Sequence, residues 1–285
     1  MKKIILCADE FVTDYIRGSQ LNDAALINYL EKDLDYSIEK IHSLNLTKID
    51  TSAFYIIGNF IGIPENIKHE LSLVKNYIIY EKDFKFALVN GMPRHPLCWP
   101  NNIVPPDKIK WVDFYNGAQS VICLTQWHAD LVSKNLPLAN VKCINGTLWS
   151  KQELDTIDYI REHSIQKREN VIYNISYKNP IKAIDFCNLY NYKYTLLASN
   201  SNKTQFLESI AQHKTLVFLP DIPETCSRLC VESKMLGLHV ITNIIVGATH
   251  EPWWVLKGQD LTNYFREDMI PKAIELFKNE ITKRN

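Results

Sequence analysis

Two glutamates in the C-terminal half, Glu224 and Glu232, are spaced so that they could contact one extended ligand. An apolar run ends at Leu219, a turn rich in proline and aspartate follows, and a helix is predicted to begin near Cys226. The unpaired amides and the positive dipole end of a helix start attract anions such as a diphosphate. Because Glu232 would lie about two turns along that helix, the two carboxylates would meet opposite ends of the ligand. Further hydrogen-bond donors are supplied here by Thr225, Ser227 and Arg228.

The segment from Glu224 to Ile241 resembles the signature of glycosyltransferase family four. It contains a glutamate, seven residues, a second glutamate, the rest of a helix, a glycine, and a strand with Val240 and Ile241. Downstream, Gly247–Glu251 is similar to the family's glycine-containing loop before a further glutamate. The seven-residue spacing alone would equally suit two solvated glutamates on an ordinary strand–turn–helix. The later features, which follow in the family's order, favour the functional interpretation.

The resemblance implies an α/β fold of the GT-B type, in which two Rossmann-like doubly wound domains face a central cleft. It also implies transfer of a sugar from a nucleoside-diphosphate sugar, with retention at the anomeric carbon and without a metal. The donor sugar is then a substrate, and no cofactor is expected. In the family's pattern Glu224 contacts the donor sugar, and Glu232 contacts the ribose hydroxyls of the nucleotide.

Two lysines follow the predicted strand Val171–Ile175. Lys178 and Lys182 fit the positions at which members similar to this chain carry basic residues that neutralise the leaving diphosphate. Without a metal, that charge must be met by cationic side chains and helix amides; two surface lysines flanking a helix start are the alternative. Ser19, within Arg17–Gln20, is similar to a position in the family's glycine-containing first loop and is predicted to bind the donor. A plain helix-entry loop is the alternative there.

The predicted strand Tyr77–Tyr80 ends in three charged residues, Glu81, Lys82 and Asp83. Many members of the family carry a histidine about here, so this chain departs from the pattern. Lys82 and Asp83 are candidate catalytic residues, with Asp83 as a base or as an anchor for the acceptor hydroxyl. A charged strand end held by salt bridges is the alternative. His95 is a weaker candidate, because a lone histidine is usually structural.

Short runs rich in Ile, Val and Tyr alternate with helical patterns, which favours βαβ units and parallel sheets. The predicted strands are Lys3–Cys7, Ser37–Ile41, Phe54–Gly58, Tyr77–Tyr80, Ser120–Leu124, Val171–Ile175, Tyr194–Ala198, Thr215–Leu219 and His239–Thr242. The predicted helices are Asp23–Glu31, Pro64–Val74, Pro106–Asn116, Thr125–Lys134, Pro180–Tyr190, Thr204–His213, Cys226–Leu236 and Met269–Lys283. Two successive α/β units of similar size indicate a pair of doubly wound domains.

The boundary between these units is predicted near a capping box, Ser150–Glu153, in which serine and glutamate satisfy amides at a helix start. We expect an acceptor-side domain at residues 1–148, a nucleotide-sugar domain at 149–268, and a closing helix at 269–285.

Composition excludes few function classes. Thirty-two basic residues balance thirty-two acidic ones, so no net field draws the chain to nucleic acid or to an anionic membrane. Seven cysteines without a CxxC pair fit reduced thiols, and no apolar stretch reaches the length of a membrane span. These features predict a cytoplasmic protein without a transmembrane segment. No metal site is evident, and the lack of a G-x-G-x-x-G after the first strand disfavours an oxidoreductase.

The acceptor is predicted to be a saccharide, and a hydroxylated base in DNA is the main alternative, since small enzymes of this architecture glycosylate phage DNA. A DNA acceptor would need a wide basic cleft. Such a cleft could be lined by Arg94, Lys108, Lys110 and Lys134. Two other classes also stay open, a non-catalytic protein that binds nucleotide sugars and a nucleotide-sugar epimerase. A metal-dependent transferase would use Asp33 and Asp35.

Overall fold

The computed structural model describes residues 3–13, 17–34, 37–89, 92–93, 95–165, 168–174, 178–200 and 202–283. The chain divides into two compact units. The first comprises Met1–Leu148 together with Pro271–Asn285, and the second comprises Trp149–Ile270. The C-terminal residues therefore belong with the first unit, although they follow the second in the sequence.

A parallel sheet forms the centre of the first unit. The strands of this unit are β1 (Ile4–Ala8), β2 (Ile38–His42), β3 (Phe54–Ile57), β4 (Tyr77–Tyr80), β5 (Leu88–Val89), β6 (Met92–Pro93), β7 (Val121–Cys123) and β8 (Val141–Cys143). The sheet has the order β2-β1-β3-β4-β7-β8, while β5 and β6 pair antiparallel with each other. Strands β1, β3 and β4 are buried along their whole length, as expected of continuous apolar runs covered on both faces.

The helices of the first unit depart from the predictions at the start of the chain. They are α1 (Gly18–Leu34), α2 (Glu65–Val74), α3 (Val112–Gly117) and α4 (Gln126–Asn135). Helix α1 begins five residues before the predicted start at Asp23. The predicted loop at Arg17–Gln20 is therefore wrong, because Ser19 lies in the first turn of α1.

The predicted helix Pro106–Asn116 is also wrong, because it is interrupted in the middle. A single 3-10 turn comes first, and the α-helix begins only at α3. Between them the amide of Lys110 donates to the carbonyl of Phe86 at 2.8 Å, and Trp111 has a left-handed φ of 56°. A continuous helix is incompatible with both features. Strand β8, at the edge of the sheet, was not predicted.

The second unit is built around a shorter parallel sheet. Its strands are β9 (Arg168–Tyr173), β10 (Tyr194–Leu197), β11 (His213–Phe218) and β12 (His239–Thr242), in the order β10-β9-β11-β12. Its helices are α5 (Lys151–His163), α6 (Ile181–Leu189), α7 (Lys203–Ala211), α8 (Arg228–Met235) and α9 (Gly258–Tyr264). His213 begins β11 instead of ending the preceding helix. A π-helical turn, Phe265–Met269, joins α9 to the closing helix α10 (Ile270–Thr282).

Both sheets reverse their winding direction at the first strand of the unit. In each, this strand lies between the second strand and the third, so the chain winds first to one side of it and then to the other. The carboxyl ends of β1 and β3, and likewise those of β9 and β11, therefore border a crevice. Open α/β sheets bind their ligands at such switch points.

None of the helices formed by the described residues is both long and apolar enough to cross a bilayer.

Candidate functional site

The crevice between β9 and β11 brings together Lys178 and Glu224. Lys178 follows β9 in the chain, and Glu224 follows β11. The two side chains form an ion pair and are 21% and 17% exposed, so the pair is mostly enclosed but still open to a ligand. Two residues that were predicted from separate segments therefore meet at one switch point.

Backbone pairing holds Glu224 in place. Its amide donates to the carbonyl of Ile245 at 2.9 Å, and its carbonyl accepts from the amide of Gly247 at 2.7 Å. Glu224 also forms an isolated parallel bridge with Val246. The loop after β11 is thereby tied to the loop after β12, so the 3-10 turn Gly247–His250, within the predicted glycine-containing loop, lies directly beside Glu224.

The start of α8 lies close to this ion pair. Burial raises the pKa of Cys230, in the first turn of α8, to about 12, and the charges of Glu224 and Lys178 also act on that pKa. Ser227 precedes the helix with a left-handed φ of 71° and provides no side-chain cap. The first amides of α8 therefore keep the preference for an anion that a helix start has.

The hydroxyl of Ser227 lacks a strong hydrogen-bond partner at this helix start. The residue is 7% exposed, and its Oγ has no nitrogen or oxygen partner among the described residues. The Cys230 thiol is a side-chain contact of this hydroxyl, and a thiol is a weak hydrogen-bonding group. A phosphate oxygen bound at the start of α8 would accept a hydrogen bond from Ser227 as well as from the helix amides.

Glu232, on α8, is held by three groups that all reach its Oε1 atom. Nε1 of Trp149 donates at 2.9 Å, Nε of Arg228 donates at 3.2 Å, and Nζ of Lys203 lies at 3.1 Å. The Glu232 side chain is 7% exposed. No hydrogen bond to Oε2 is found in the part of the chain that the structure describes, which leaves this second oxygen for a ligand.

Arg228 and Lys203 also connect Glu232 to Glu153, on α5. Nζ of Lys203 lies 2.5 Å and Nη2 of Arg228 lies 2.7 Å from Oε1 of Glu153. The Arg228 side chain is 9% exposed, and its guanidinium lies 4.7 Å from the centre of the Trp149 ring. Two acidic and two basic side chains thus form one mostly enclosed network, in which Arg228 contacts both carboxylates.

Both carboxylates of this network have lowered pKa values. Burial acts to raise the pKa of Glu232, but the lowering by the charges of Lys203 and Arg228 is larger than the effect of burial. The same balance holds for Glu153, whose pKa burial acts to raise and the charges of Arg228 and Lys203 lower by more. Both glutamates are therefore ionised at neutral pH, and the network carries no net charge.

We expect the network to stabilise the protein at neutral pH and to lose this contribution in acid. Because the pKa of both folded carboxylates lies below the ordinary 4.5, the unfolded chain takes up protons first as the pH falls, and unfolding is favoured. The gap in Tm between the parent and Glu153→Gln should be widest near neutral pH and should shrink below pH 4.5. Exposed Glu208, on α7, gives the control Glu208→Gln, whose Tm should follow the parent's throughout. A Tm difference between the parent and Glu153→Gln that persists in acid would contradict the expected loss of stabilisation by the network.

Lys182 lies in the first turn of α6 and is the more accessible of the two predicted lysines. Its side chain is 59% exposed and pairs with Asp221, which also accepts a hydrogen bond from Asn179. A lysine in the first turn of a helix opposes the helix dipole, and Asp221 offsets this repulsion. An anion at this place would do the same.

In the first unit, Ser19 and Lys82 lie beside the crevice between β1 and β3. Oγ of Ser19 accepts from Nδ2 of Asn59, which follows β3, at 3.3 Å. Nζ of Lys82 binds both carboxylate oxygens of Asp23, at 2.6 and 2.5 Å, and lies 3.5 Å from the Ser19 carbonyl. Because the Lys82 and Asp23 side chains are 3% and 2% exposed, the Lys82 ammonium is enclosed within this unit.

Asp83 is the exposed member of the charged run after β4. Its side chain is 62% exposed and pairs with Lys85 at 3.2 Å. Glu81 is instead fully buried, where it binds Lys85 at 2.9 Å and the hydroxyl of Tyr115. Desolvation acts to raise the pKa of Asp83, but the charges of Lys85 and Lys82 lower it more. Asp83 is therefore ionised at neutral pH, and its carboxylate is accessible to a ligand.

His95 packs in an aromatic cluster with Phe84, Trp127 and His128. Its ring stacks on Trp127 with centroids 5.3 Å apart and meets the edge of Phe84. Burial lowers the pKa of His95 to about 3 and that of His128 to about 4. Both imidazoles are therefore neutral at neutral pH, and this packing suits a structural role.

Few of the residues considered for other functions are placed to support them. Asp33 belongs to α1, while Asp35 and Arg94 lie outside the described residues. The described ranges contain no group of three or more His, Cys, Asp and Glu side chains suited to a metal ion. Lys108 pairs with a neighbouring aspartate at 2.8 Å, and Lys134 donates to a backbone carbonyl at 2.6 Å.

Sequence reasoning missed Trp149 and Lys203, which hold Glu232 directly, and the part of Glu153, which shares Lys203 and Arg228 with Glu232. Glu153 was identified only as part of a capping box, and its Oε2 does accept a hydrogen bond from the amide of Ser150. Its other oxygen joins the network across α5, α7 and α8. No local pattern could have found these contacts, because the residues lie far apart in the sequence.

No family model and no curated protein matches the chain, but several solved structures resemble it. HepE of Anabaena, in complex with UDP and glucose, matches with a TM-score of 0.52 at 10% identity, over 99% of this chain and 94% of HepE. The catalytic domain of starch synthase IV from Arabidopsis thaliana, bound to ADP and acarbose, matches with a TM-score of 0.51 at 8% identity, over 99% of this chain and 95% of that domain. Sucrose-phosphate synthase from Thermosynechococcus elongatus matches with a TM-score of 0.53 at 10% identity, over 99% of this chain and 98% of the synthase.

These neighbours are glycosyltransferases of the GT-B fold, and the likeness extends over nearly all of this chain. The predicted fold class, two Rossmann-like α/β domains of the GT-B type, is confirmed. At such low identity the likeness shows the fold alone, so the function has to be argued from the site.

Proposed function

We propose that the chain is a glycosyltransferase that moves a sugar from a nucleoside-diphosphate sugar to a hydroxyl of an acceptor. The observation that carries this proposal is the ion pair of Lys178 and Glu224 at the crevice of the second sheet, beside the uncapped start of α8. A helix start with an adjacent lysine suits a diphosphate, and an adjacent carboxylate suits sugar hydroxyls. A nucleoside-diphosphate sugar presents both groups.

The diphosphate is assigned to Lys178, Ser227 and the first amides of α8, with Lys182 at the outer edge. Bound phosphate would supply the strong oxygen acceptor that Ser227 Oγ lacks among the described residues and would share Lys178 with Glu224. As the bond from the sugar C1 to the phosphate oxygen breaks, negative charge grows on the departing diphosphate. Fixed cations and amides stabilise that charge, and the proposed mechanism uses no metal.

The two glutamates are assigned to the two sugars of the donor. Glu224 accepts hydrogen bonds from the transferred sugar, and Oε2 of Glu232 accepts them from the ribose. Since Trp149, Arg228 and Lys203 already hold Oε1, the Glu232 carboxylate is oriented before the ligand arrives, which lowers the entropy cost of binding. In this assignment Arg228 supports the donor site through Glu232.

The acceptor is proposed to be a saccharide whose reacting hydroxyl is held by Asp83. The ionised, exposed carboxylate can accept a hydrogen bond from that hydroxyl and take its proton as the oxygen bonds to C1. Lys82 is assigned a positioning role, because its enclosed ammonium ties β4 to the start of α1 through Asp23. Retention at the anomeric carbon and a cytoplasmic location complete the proposal.

We expect one nucleoside diphosphate to raise the Tm of the purified protein in a screen of UDP, GDP, ADP and CMP, with and without EDTA. Ligand at about 100 times its Kd stabilises the folded state by about 2.7 kcal/mol, and EDTA should not change the shift. Glu232→Gln should remove the shift relative to its own ligand-free Tm, because the ribose loses its carboxylate partner. Glu208→Gln should keep it.

The other outcomes of this screen point elsewhere. A Tm that responds to none of the nucleotides would refute the donor site. A shift that EDTA abolishes would favour a metal-dependent transferase. Binding without sugar transfer or donor hydrolysis, under conditions in which acceptor saccharides are supplied, would favour a non-catalytic nucleotide-sugar-binding protein.

A further inference from the structure

The first unit contains a second concave site, a pocket of about 200 Å³ at the carboxyl ends of β1 and β2. One wall comes from the loop after β1, another from α1, and the third from β2. The pocket is lined mainly by Phe11, Gln20, Ala24, Ile27, Lys40 and His42. It adjoins the first turn of α1, since Gln20 follows Ser19 directly.

Gln20 contributes a buried acceptor that no group in the described part of the chain satisfies. Its Nε2 donates to Oε2 of Glu10 at 2.9 Å, which fixes the orientation of the amide. Its Oε1 is buried and has no hydrogen-bond partner among the described residues, and the residue as a whole is only 3% exposed. A ligand with a hydroxyl donor would satisfy this oxygen.

Lys40 gives the pocket an uncompensated positive charge. It is exposed, and no ion pair of Lys40 is found among the described residues. The nearby carboxylates have other partners: Glu39 pairs with Lys3 at 2.7 Å, Asp9 accepts from the amide of Gly62 at 3.0 Å, and Glu10 accepts from Nε2 of Gln20 at 2.9 Å. An anionic group on a ligand would therefore meet an ammonium with which none of these three carboxylates forms an ion pair among the described residues.

The remaining walls are apolar and suit the face of a ring. Phe11 and His42 meet edge to face with centroids 5.0 Å apart, and Ile27 and Ala24 lie on the same face of α1, one turn apart. Drug-sized ligands occupy pockets of roughly 300–1,000 Å³, so 200 Å³ suits a single sugar ring. A duplex DNA backbone has no place in a pocket of this size.

We propose that this pocket binds one sugar ring that carries a carboxylate or phosphate, and that this ring belongs to the acceptor. Gln20 accepts from a ring hydroxyl, Phe11 packs against the ring face, and Lys40 meets the anionic group. The assignment to the acceptor rests on the proposed glycosyltransferase function, whereas the binding of an anionic sugar stands on the pocket alone.

The test compares methyl β-D-glucuronide and glucose 6-phosphate with the neutral methyl β-D-glucoside, by NMR titration of the full chain. At least one anionic ring should bind about fivefold more tightly than the glucoside, which is what roughly 1 kcal/mol from an exposed ion pair gives. Lys40→Gln should remove this preference, while the exposed lysine Lys48, outside the pocket, gives the control Lys48→Gln, which should keep it. Ala24→Phe, at an exposed position on the pocket wall, should fill the pocket and abolish binding of all three sugars.

The proposal is overturned if the parent binds none of the three sugars, if Ala24→Phe binds them as the parent does, or if Lys40→Gln keeps the preference. The nucleotide-induced Tm shift should be the same in the parent, Ala24→Phe and Lys40→Gln. If nucleotides do not shift the Tm of the parent but the parent binds the anionic sugar, the donor site is refuted and the pocket proposal is retained. Its presence together with unaltered sugar binding in Ala24→Phe would refute the pocket alone.

Discussion

Lys178→Met is expected to lower kcat by about 100- to 1,000-fold, the usual loss when one preorganised charge-stabilising group is removed. Lys178 is paired with Glu224 at the crevice and is 21% exposed, so solvent screens it less than a surface lysine. Charge on the diphosphate grows as the bond to C1 breaks, and Lys178 therefore interacts more strongly with the transition state than with the bound donor. For this reason KM for the donor should change less than kcat.

The measurement is steady-state sugar transfer, or hydrolysis of the donor, with the nucleotide identified by the Tm screen. Lys182→Met should cause a smaller loss, because its side chain is 59% exposed and already paired with Asp221. Lys214, on β11, is a matched surface lysine, 55% exposed and paired with Glu169, and Lys214→Met should behave as the parent. A loss in Lys178→Met that appears only in KM, or that Lys214→Met shares, would remove Lys178 from the reaction.

Lys82→Met is expected to destabilise the protein by about 3–5 kcal/mol, because it leaves the Asp23 carboxylate buried and unpaired. Both side chains are almost fully buried, and burial raises the pKa of Asp23 and lowers that of Lys82, while each charge opposes the shift of the other. Replacing both charges with apolar residues of similar volume is often close to neutral. The double variant Asp23→Leu/Lys82→Met should therefore recover most of the lost stability, as measured by urea unfolding.

The activity of this double variant separates the two roles considered for Lys82. If Lys82 only positions the start of α1, the refolded double variant should keep kcat within about tenfold of the parent, a loss of less than roughly 1.4 kcal/mol in barrier. A loss of 100-fold or more with stability restored would show that the ammonium acts on the substrate. Asp83→Asn, which removes an exposed charge, should in contrast leave stability nearly unchanged while it lowers kcat.

Elements whose bounds depend on apolar patterning could be predicted from the sequence. Strands β4 and β12 have the predicted bounds, and the other predicted strands match within a few residues. Continuous Ile, Val and Tyr runs leave little choice, because a parallel sheet buries both faces of its strands. The meeting of Lys178 with Glu224 follows from the same logic, since each residue comes after a strand and the carboxyl ends of parallel strands share one edge.

The boundaries that depend on remote partners could not be predicted. The chain at Lys110 leaves the helical path because its amide bonds to Phe86, and nothing in the local sequence indicates that partner. Arg228 illustrates the same limit at the candidate site. Its place at a helix start suggested a phosphate ligand, but the fold places it against Glu153 and Glu232.

The sequence by itself determined the alternation of strands and helices, the place of Glu224 between a strand and the helix that follows it, and the residue types available for a diphosphate. These properties depend on local periodicity and chain order, which a linear pattern contains. The tertiary structure alone decided which oxygen of Glu232 stays open, that Lys82 is enclosed by Asp23 while Asp83 is exposed, and that a pocket lies beside β2. Such properties depend on distances between residues far apart in the chain, because burial and ion pairing are set only when separate elements pack together.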